Sequence, residues 1–170
     1  MNYQWIGAVL IIAGCGGFGS AIAAAYRQEE KLLHQLMSTI TYMETELQYQ
    51  LTPLPELCQK AGKHTRGILN QLFCEMAKNL EQQTAADVSG CMNNAIQKTG
   101  EIPVRLKKLL RELGNCLGQF DLSGQLRGLQ EIYALCEAEG KRLEKGRDQR
   151  LRSYKTLGIC AGLALIILFV

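Results

Sequence analysis

Charged side chains are confined to the middle of the chain, and both ends are apolar. All 19 basic and 16 acidic residues lie between Arg27 and Lys155. The first apolar stretch, Ile6–Tyr26, has 21 residues. As an α-helix it would extend about 31 Å, which matches a bilayer core of about 30 Å. The pattern predicts an N-terminal transmembrane helix within residues 1–26.

The second apolar stretch, Leu157–Val170, has 14 residues. Its helical length of about 21 Å is short for a membrane span and also fits a buried core helix. Basic residues crowd the segment before it and are typical of the cytoplasmic side of a membrane helix. We therefore expect a short C-terminal transmembrane helix at residues 157–170, a cytoplasmic domain at residues 27–156, and both termini outside.

Two cleaved leaders are alternatives for the N-terminal stretch. Ala23–Ala25 could serve as a signal-peptide cleavage site, and Ile12–Cys15 resembles a lipoprotein leader. Both leaders normally begin with a positively charged segment, which "MNYQW" lacks, so an uncleaved helix is favoured. Small residues at helical spacing in both stretches predict close packing of membrane helices, although such residues are common in these helices in any case. They are Gly16, Ser20, Ala24, Gly158 and Gly162.

The middle of the chain has the three- and four-residue hydrophobic spacing of α-helices. The spacing predicts a long first helix over about residues 27–51 and a sixth helix, capped by Asp121, that continues into the second apolar stretch. Four shorter helices lie between them. We expect them to begin at Thr52–Pro53, at about Thr65, at a capping box formed by Thr84–Asp87, and at Pro103, with Gly62 and Gly100 as stops.

These elements predict an all-α fold. The expected architecture is a cytoplasmic antiparallel helical bundle flanked by an N-terminal and a short C-terminal transmembrane helix. No stretch alternates with a period of two for long enough to form a strand. The first and sixth helices both carry a long apolar seam, so we expect them to pair.

The sequence predicts no catalytic, cofactor-binding or metal site and no nucleic-acid partner. The net charge is only +3, and basic and aromatic residues do not interleave. The seven cysteines have no CxxC pair, which favours buried, reduced thiols over a disulfide framework. His34 and His64 have no suitable partners nearby in the sequence, so exposed positions are expected. Glu44 and Glu46 face different sides of a helix and cannot act as a pair.

A basic cluster precedes the second apolar stretch and is a candidate for contact with anionic lipid. A purely topological role for the same charges stays open. The lipid-contact candidates are Arg147, Arg150, Arg152 and Lys155.

Two strings carry a resemblance to a known family. "ETELQYQLTPLPELC", Glu44–Cys58, and "LGNCLGQFDLSGQ", Leu113–Gln125, resemble the signatures of the stage III sporulation protein AB family of endospore-forming bacteria. The resemblance implies a helical domain like that of the inner-membrane platform proteins of type II secretion and type IV pilus machines. We single out seven residues of these strings for structural or partner roles: Glu44, Glu46, Pro53, Pro55, Gly114, Gly118 and Asp121.

The resemblance also implies a setting. It places the protein in the mother-cell membrane facing the forespore, as a non-enzymatic part of the channel complex that joins the two cells. The implied partners are membrane lipid and the other stage III A proteins, including a secretion-type ATPase on the cytoplasmic face. The alternative is a membrane-anchored coiled-coil protein that binds anionic lipid or another partner without an ATPase. Self-association of the chain stays open in either case.

Overall fold

We describe the protein from a computed structural model. The structure describes the backbone of residues 2–118 and 121–169, and the side chains of residue 24 and of residues 26–118 and 121–146. The chain divides into two compact units. One unit comprises residues 31–140, and the other comprises residues 1–30 together with residues 141–170.

The described residues form six α-helices and no β-strand, so the predicted all-α fold is confirmed. The first and last helices are long and extend into the apolar ends, whereas the four between them have 11 to 14 residues. The helices are α1 (Asn2–Gln50), α2 (Leu54–His64), α3 (Ile68–Glu81), α4 (Val88–Lys98), α5 (Val104–Leu117) and α6 (Leu122–Phe169).

The core of the unit formed by residues 31–140 is made of the apolar positions that the helical spacing indicated. Burial of each such side chain contributes about 1.5–3 kcal/mol relative to exposure, which is the main reason that these faces turn inward. Within this unit α2 packs on α3, α3 on α4, and α4 on α5. The largest fully buried side chains are those of Leu36, Ile40, Met43, Leu57, Leu69, Leu72, Phe73, Met76, Met92, Leu110, Leu113 and Leu117.

A hydrogen bond joins α6 to α1 in the same unit. The Gln130 Nε2 donates to the Glu44 Oε1 over 2.7 Å. Glu46 lies on another side of α1, where it contacts α2, so the prediction that the two carboxylates do not act as a pair is correct.

Several predicted helix boundaries are wrong. Asp87 alone caps α4, through a 3.0 Å bond from the Gly90 amide to its Oδ1, and Thr84 belongs to the preceding turn. Thr52 does not cap α2, because its hydroxyl donates to Glu46 instead. Gly62 does not stop α2 either. It lies inside the helix, which continues to His64.

The described cysteines are free thiols, as expected. Cys58, Cys91, Cys116 and Cys136 are buried, and Cys74 is half-buried. Burial raises the pKa of the Cys58 and Cys136 thiols to about 12. These thiols are therefore protonated near neutral pH and act as small apolar side chains in the core.

The predicted membrane helices fall almost wholly outside the part of the chain whose side chains are described. Within that part, no helix has a stretch of the length and hydropathy that a membrane crossing requires. Of the small residues predicted to pack in the membrane, Ala24 is described and exposed. Gly16, Ser20, Gly158 and Gly162 lie outside the described side chains, and their packing stays a prediction.

Gly114 provides a test of how closely α4 and α5 approach. A Cβ at Gly114 would lie 2.7 Å from the Met92 Cβ and 3.1 Å from its Cγ. Because the Met92 Cβ is attached directly to the backbone, the helix itself would have to shift. We expect Gly114→Ala to reduce the free energy of unfolding by about 1–3 kcal/mol, measured by denaturant unfolding of the full-length protein in detergent.

Gly140 is the matched control. It lies in α6, and a Cβ there would meet nothing within 4 Å. Alanine is a better helix former than glycine, so Gly140→Ala should raise the free energy of unfolding by up to about 1 kcal/mol. Equal effects at the two positions would contradict the close approach of α4 and α5.

Candidate interaction sites

A buried carboxylate joins α1 to α2. Glu46 is only 7% exposed. Its Oε2 accepts a hydrogen bond from the Lys60 Nζ over 2.8 Å and another from the Thr52 Oγ1 over 2.9 Å. The Lys60 Nζ also lies 3.3 Å from the Glu56 Oε1, so one ammonium group serves two carboxylates. The two helices and the turn between them are therefore held at a single point.

The surroundings of Glu46 and Lys60 favour the charged forms of both side chains. The hydrogen bond from Lys60 lowers the pKa of Glu46, although burial of the carboxylate opposes this. The same bond raises the pKa of Lys60. Burial raises the pKa of the neighbouring Tyr42, and a hydrogen bond to Glu46 adds to this. Glu46 and Lys60 therefore form an ion pair that is stabilised by hydrogen bonds and that links α1 to α2.

The two histidines are exposed, as predicted. The His64 ring packs on the Tyr42 ring with the centroids 4.0 Å apart and the planes tilted by 32°. Nowhere in the described residues do three or more His, Cys, Asp or Glu side chains cluster so that they could hold a metal ion.

Two large apolar side chains are exposed where α1 ends and the turn to α2 begins. Tyr49 is 77% exposed and Leu51 is 68% exposed. Leu51 also has a φ of 50°, a left-handed conformation that is costly for a residue with a side chain. The turn is nevertheless fixed, because Thr52 is bonded to Glu46 and the following Pro53 restricts its own φ. We call Tyr49–Pro53 the α1–α2 turn.

Pro53 and Pro55 lie where α2 begins. Pro53 is the N-cap residue, with φ −56° and ψ 144°, and Pro55 is in the first turn of the helix. At these positions proline loses no helical hydrogen bond. Both prolines are therefore compatible with the start of α2, and a role in contacting a partner stays a prediction.

The other predicted residues lie at the contact between α4 and α5 and at the start of α6. Gly114 faces Met92, and a Cβ at Gly118, which ends α5, would lie 3.4 Å from the Val88 Cβ. Asp121 caps α6, because its Oδ2 accepts 2.7 Å bonds from the Gly124 amide and the Ser123 hydroxyl. The hydrogen bond from Ser123 lowers the pKa of Asp121. Whether any of these residues contacts a partner stays a prediction.

Two glycines with packing roles were missed by the sequence analysis. A Cβ at Gly62 would lie 2.9 Å from the Cys74 Sγ, so this glycine lets α3 approach α2. A Cβ at Gly128 would lie 3.0 Å from the Cys116 Cβ, which gives the same relation between α5 and α6. The sequence signal for both roles was a glycine inside a helical pattern. Glycine destabilises a helix relative to alanine, so its presence there indicates that a neighbouring helix packs closely against it.

A depression with a volume of about 570 Å³ lies at the connection of α3 to α4. Its lining includes the apolar residues Leu80, Val88 and Cys91 and the polar residues Gln83 and Thr84, and Asp87 is its charged residue. The Asp87 carboxylate already accepts the capping bond of α4. The depression is therefore lined by polar and apolar residues together, with one acidic group.

The candidates for lipid contact, Arg147, Arg150, Arg152 and Lys155, lie outside the residues whose side chains are described. Their role stays a prediction.

Comparisons with known proteins give one consistent result. The family model described as stage III sporulation protein AB matches residues 4–170. The stage III sporulation protein AB of Bacillus subtilis (strain 168) is 25% identical over 167 residues, which cover 96% of each chain. A solved structure of a stage III sporulation protein AB has a TM-score of 0.63 at 19% identity. It covers 72% of this chain and 98% of its own, and it supports the helical fold.

The strain at Leu51 gives a testable prediction. Asparagine tolerates the left-handed conformation better than leucine, and the exposed leucine side chain contributes little packing. We expect Leu51→Asn to raise the free energy of unfolding by about 0.5–1 kcal/mol, measured by denaturant unfolding of the full-length protein. Alanine lacks the short polar side chain that helps asparagine to adopt the left-handed conformation, so Leu51→Ala should change stability by less than about 0.5 kcal/mol. A destabilising Leu51→Asn would contradict the exposed, left-handed conformation.

The buried ion pair predicts a pH dependence. Because the pKa of Glu46 is lower in the folded protein than its ordinary value of 4.5, this residue stabilises the fold above that pH. The contribution is lost as the pH falls from 4.5 through the lowered pKa. Glu46→Gln should lower the unfolding midpoint at pH 7 and reduce the loss of stability between pH 5 and pH 3 (about the range in which a carboxylate titrates).

Glu44 supplies the control for this measurement, because it also lies on α1, but its Oε1 accepts from Gln130 of α6 and it takes no part in the ion pair with Lys60. Glu44→Gln removes one carboxylate from α1 and keeps the Glu46–Lys60 pair, so a reduced acid-induced loss of stability that appears only in Glu46→Gln belongs to the ion pair. A Glu46→Gln protein with an unchanged pH profile would show that Glu46 does not form this ion pair in solution.

Proposed function

Because the chain belongs to the stage III sporulation protein AB family, we propose that it is a non-enzymatic platform subunit of a secretion-like complex between mother cell and forespore. In this role it couples a cytoplasmic secretion-type ATPase to the membrane components of the complex. The observation that carries the proposal is the match to the family over residues 4–170, which includes the central helices and both apolar ends.

The proposed topology follows from the distribution of charge. The two apolar ends lie in the mother-cell membrane, and residues 27–156 lie on the side where the ATPase operates. Supporting this, Arg27 and Lys31 follow the first apolar stretch, and Arg150, Arg152 and Lys155 precede the second. Basic residues beside membrane helices favour the cytoplasmic side.

A transmitting role requires helices that keep their positions under load. The Glu46–Lys60 ion pair holds α1 against α2, and the close approach at Gly114 holds α4 against α5. Such contacts transmit a displacement from one helix to the next, because packed interiors deform little. This rigidity supports a mechanical role and needs no reaction at the protein itself.

The basic cluster favours a second candidate function. A membrane-anchored protein could use Arg147, Arg150, Arg152 and Lys155 to hold anionic lipid, without an ATPase. Replacing these four residues by glutamine would then release anionic lipid while leaving any protein complex intact.

We expect the full-length protein, solubilised in mild detergent from sporulating cells, to copurify with the secretion-type ATPase of the same complex. The reason is that a coupling subunit must contact the motor that it couples. The measurement is affinity purification followed by mass spectrometry, with an unrelated membrane protein of similar abundance, carrying the same tag, as the control.

Copurification with the ATPase that survives replacement of the four basic residues supports the platform role. Copurification of anionic lipid alone, abolished by the same replacement, would favour the lipid-binding function. Absence of the ATPase from the purified complex, including after chemical cross-linking in cells, would contradict the platform proposal.

A further inference from the structure

The α1–α2 turn exposes apolar side chains, and one of them is held in an energetically unfavourable backbone conformation. Tyr49 and Leu51 are 77% and 68% exposed, and Leu51 is held at a φ of 50°. Asparagine or glycine would adopt this backbone at lower cost. A strained, exposed leucine beside an exposed tyrosine is therefore not explained by the stability of the fold.

The turn is also pre-organised. The Thr52 hydroxyl donates to the buried Glu46 carboxylate over 2.9 Å, and Pro53 caps α2 directly after it. A protein that binds a fixed turn loses little conformational entropy, so two apolar side chains can contribute more to affinity than they would on a flexible loop. Tyrosine in particular is enriched among the residues that dominate protein interfaces.

The charge around the turn is negative. Glu46 and Glu56 share the single ammonium group of Lys60, at 2.8 Å and 3.3 Å. The last turn of α1 contains no basic residue, so the negative end of the helix dipole is not compensated there. The surface that fits this turn is apolar at its centre and carries lysine or arginine at its rim.

Two other occupants fit less well. An anionic bilayer surface would be repelled by the same carboxylates and by the end of the helix dipole. The depression at the α3–α4 connection has no cation among its lining residues and carries Asp87, so it does not suit the insertion of this turn from a second copy. A different protein with an apolar pocket and a basic rim is the occupant that the charges favour.

We infer that the α1–α2 turn is the docking element through which this protein engages the cytoplasmic ATPase, with Tyr49 and Leu51 inserted into an apolar pocket that is rimmed by basic side chains. This inference rests on the proposed function and names the surface that performs it. Leu51 and Tyr49 supply the apolar contact, and Glu56 faces the basic rim. The Glu46–Lys60 pair positions the turn without touching the partner.

The experiment compares binding of the purified ATPase to the full-length protein in detergent. Leu51→Asn and Tyr49→Ser, singly and together, remove the exposed apolar contact, and Leu51→Asn also relieves the backbone strain. The Leu51→Asn variant is thus expected to be at least as stable as the unsubstituted protein, so its loss of binding cannot be attributed to unfolding. Val104→Ser is the matched control, because Val104 is an apolar residue that is 83% exposed on a different helix, α5.

We expect the double variant to raise the equilibrium dissociation constant by at least about tenfold. Val104→Ser should change this constant by less than about twofold. Leu51→Met keeps an apolar side chain and should retain most of the affinity. Glu56→Gln should weaken binding at low salt, and this difference should shrink as salt screens the interaction.

The outcomes separate the two proposals. An ATPase that binds the unsubstituted protein and the double variant within twofold of each other would overturn the docking inference and leave the platform function intact. Equal weakening by Val104→Ser would overturn it as well, because the turn would then have no special part. An ATPase that does not bind the unsubstituted protein would contradict the proposed function itself.

Discussion

The arrangement of the first helices depends on one buried carboxylate. Glu46 lies inside the protein, where an unpaired charge would be strongly destabilising, and Lys60 and Thr52 provide the groups that compensate it. The pair therefore fixes where α2 begins relative to α1. Since α3 packs on α2 and α4 on α3, the same constraint extends to the following helices. It also determines the conformation in which the α1–α2 turn presents its side chains.

The helices and most of the core could be predicted from the sequence, because burial of one face imposes a local spacing that is visible in a single chain. Leu36, Ile40 and Met43 recur at this spacing and are completely buried. The cap at Asp121 was predictable for the same reason, since its hydrogen bond reaches only three residues along the chain. The capping box proposed at Thr84 failed because several polar residues compete in that turn, and Asp87 has the favourable position.

The remaining features depend on contacts between residues that are distant in the sequence. Lys60 is on a different helix from Glu46, so no local pattern associates them. The left-handed conformation of Leu51 could not be anticipated, because leucine rarely adopts it and only the surrounding contacts enforce it. The sequence identified the string that contains this turn through a family resemblance, but it gave no indication of which side chains are exposed.

Three neighbouring pairs of helices use a glycine in the same way. In each pair the glycine of one helix receives a side chain of the other, so the two positions share one small volume. The pairs are Gly62 with Cys74, Gly114 with Met92, and Gly128 with Cys116. A larger residue in place of the glycine requires the opposing side chain or helix to move, least easily at Gly114 and Gly128, where the added Cβ would meet another Cβ. At these positions the size of side chain that the protein tolerates is therefore set by the neighbouring helix and not by the helix that carries the glycine.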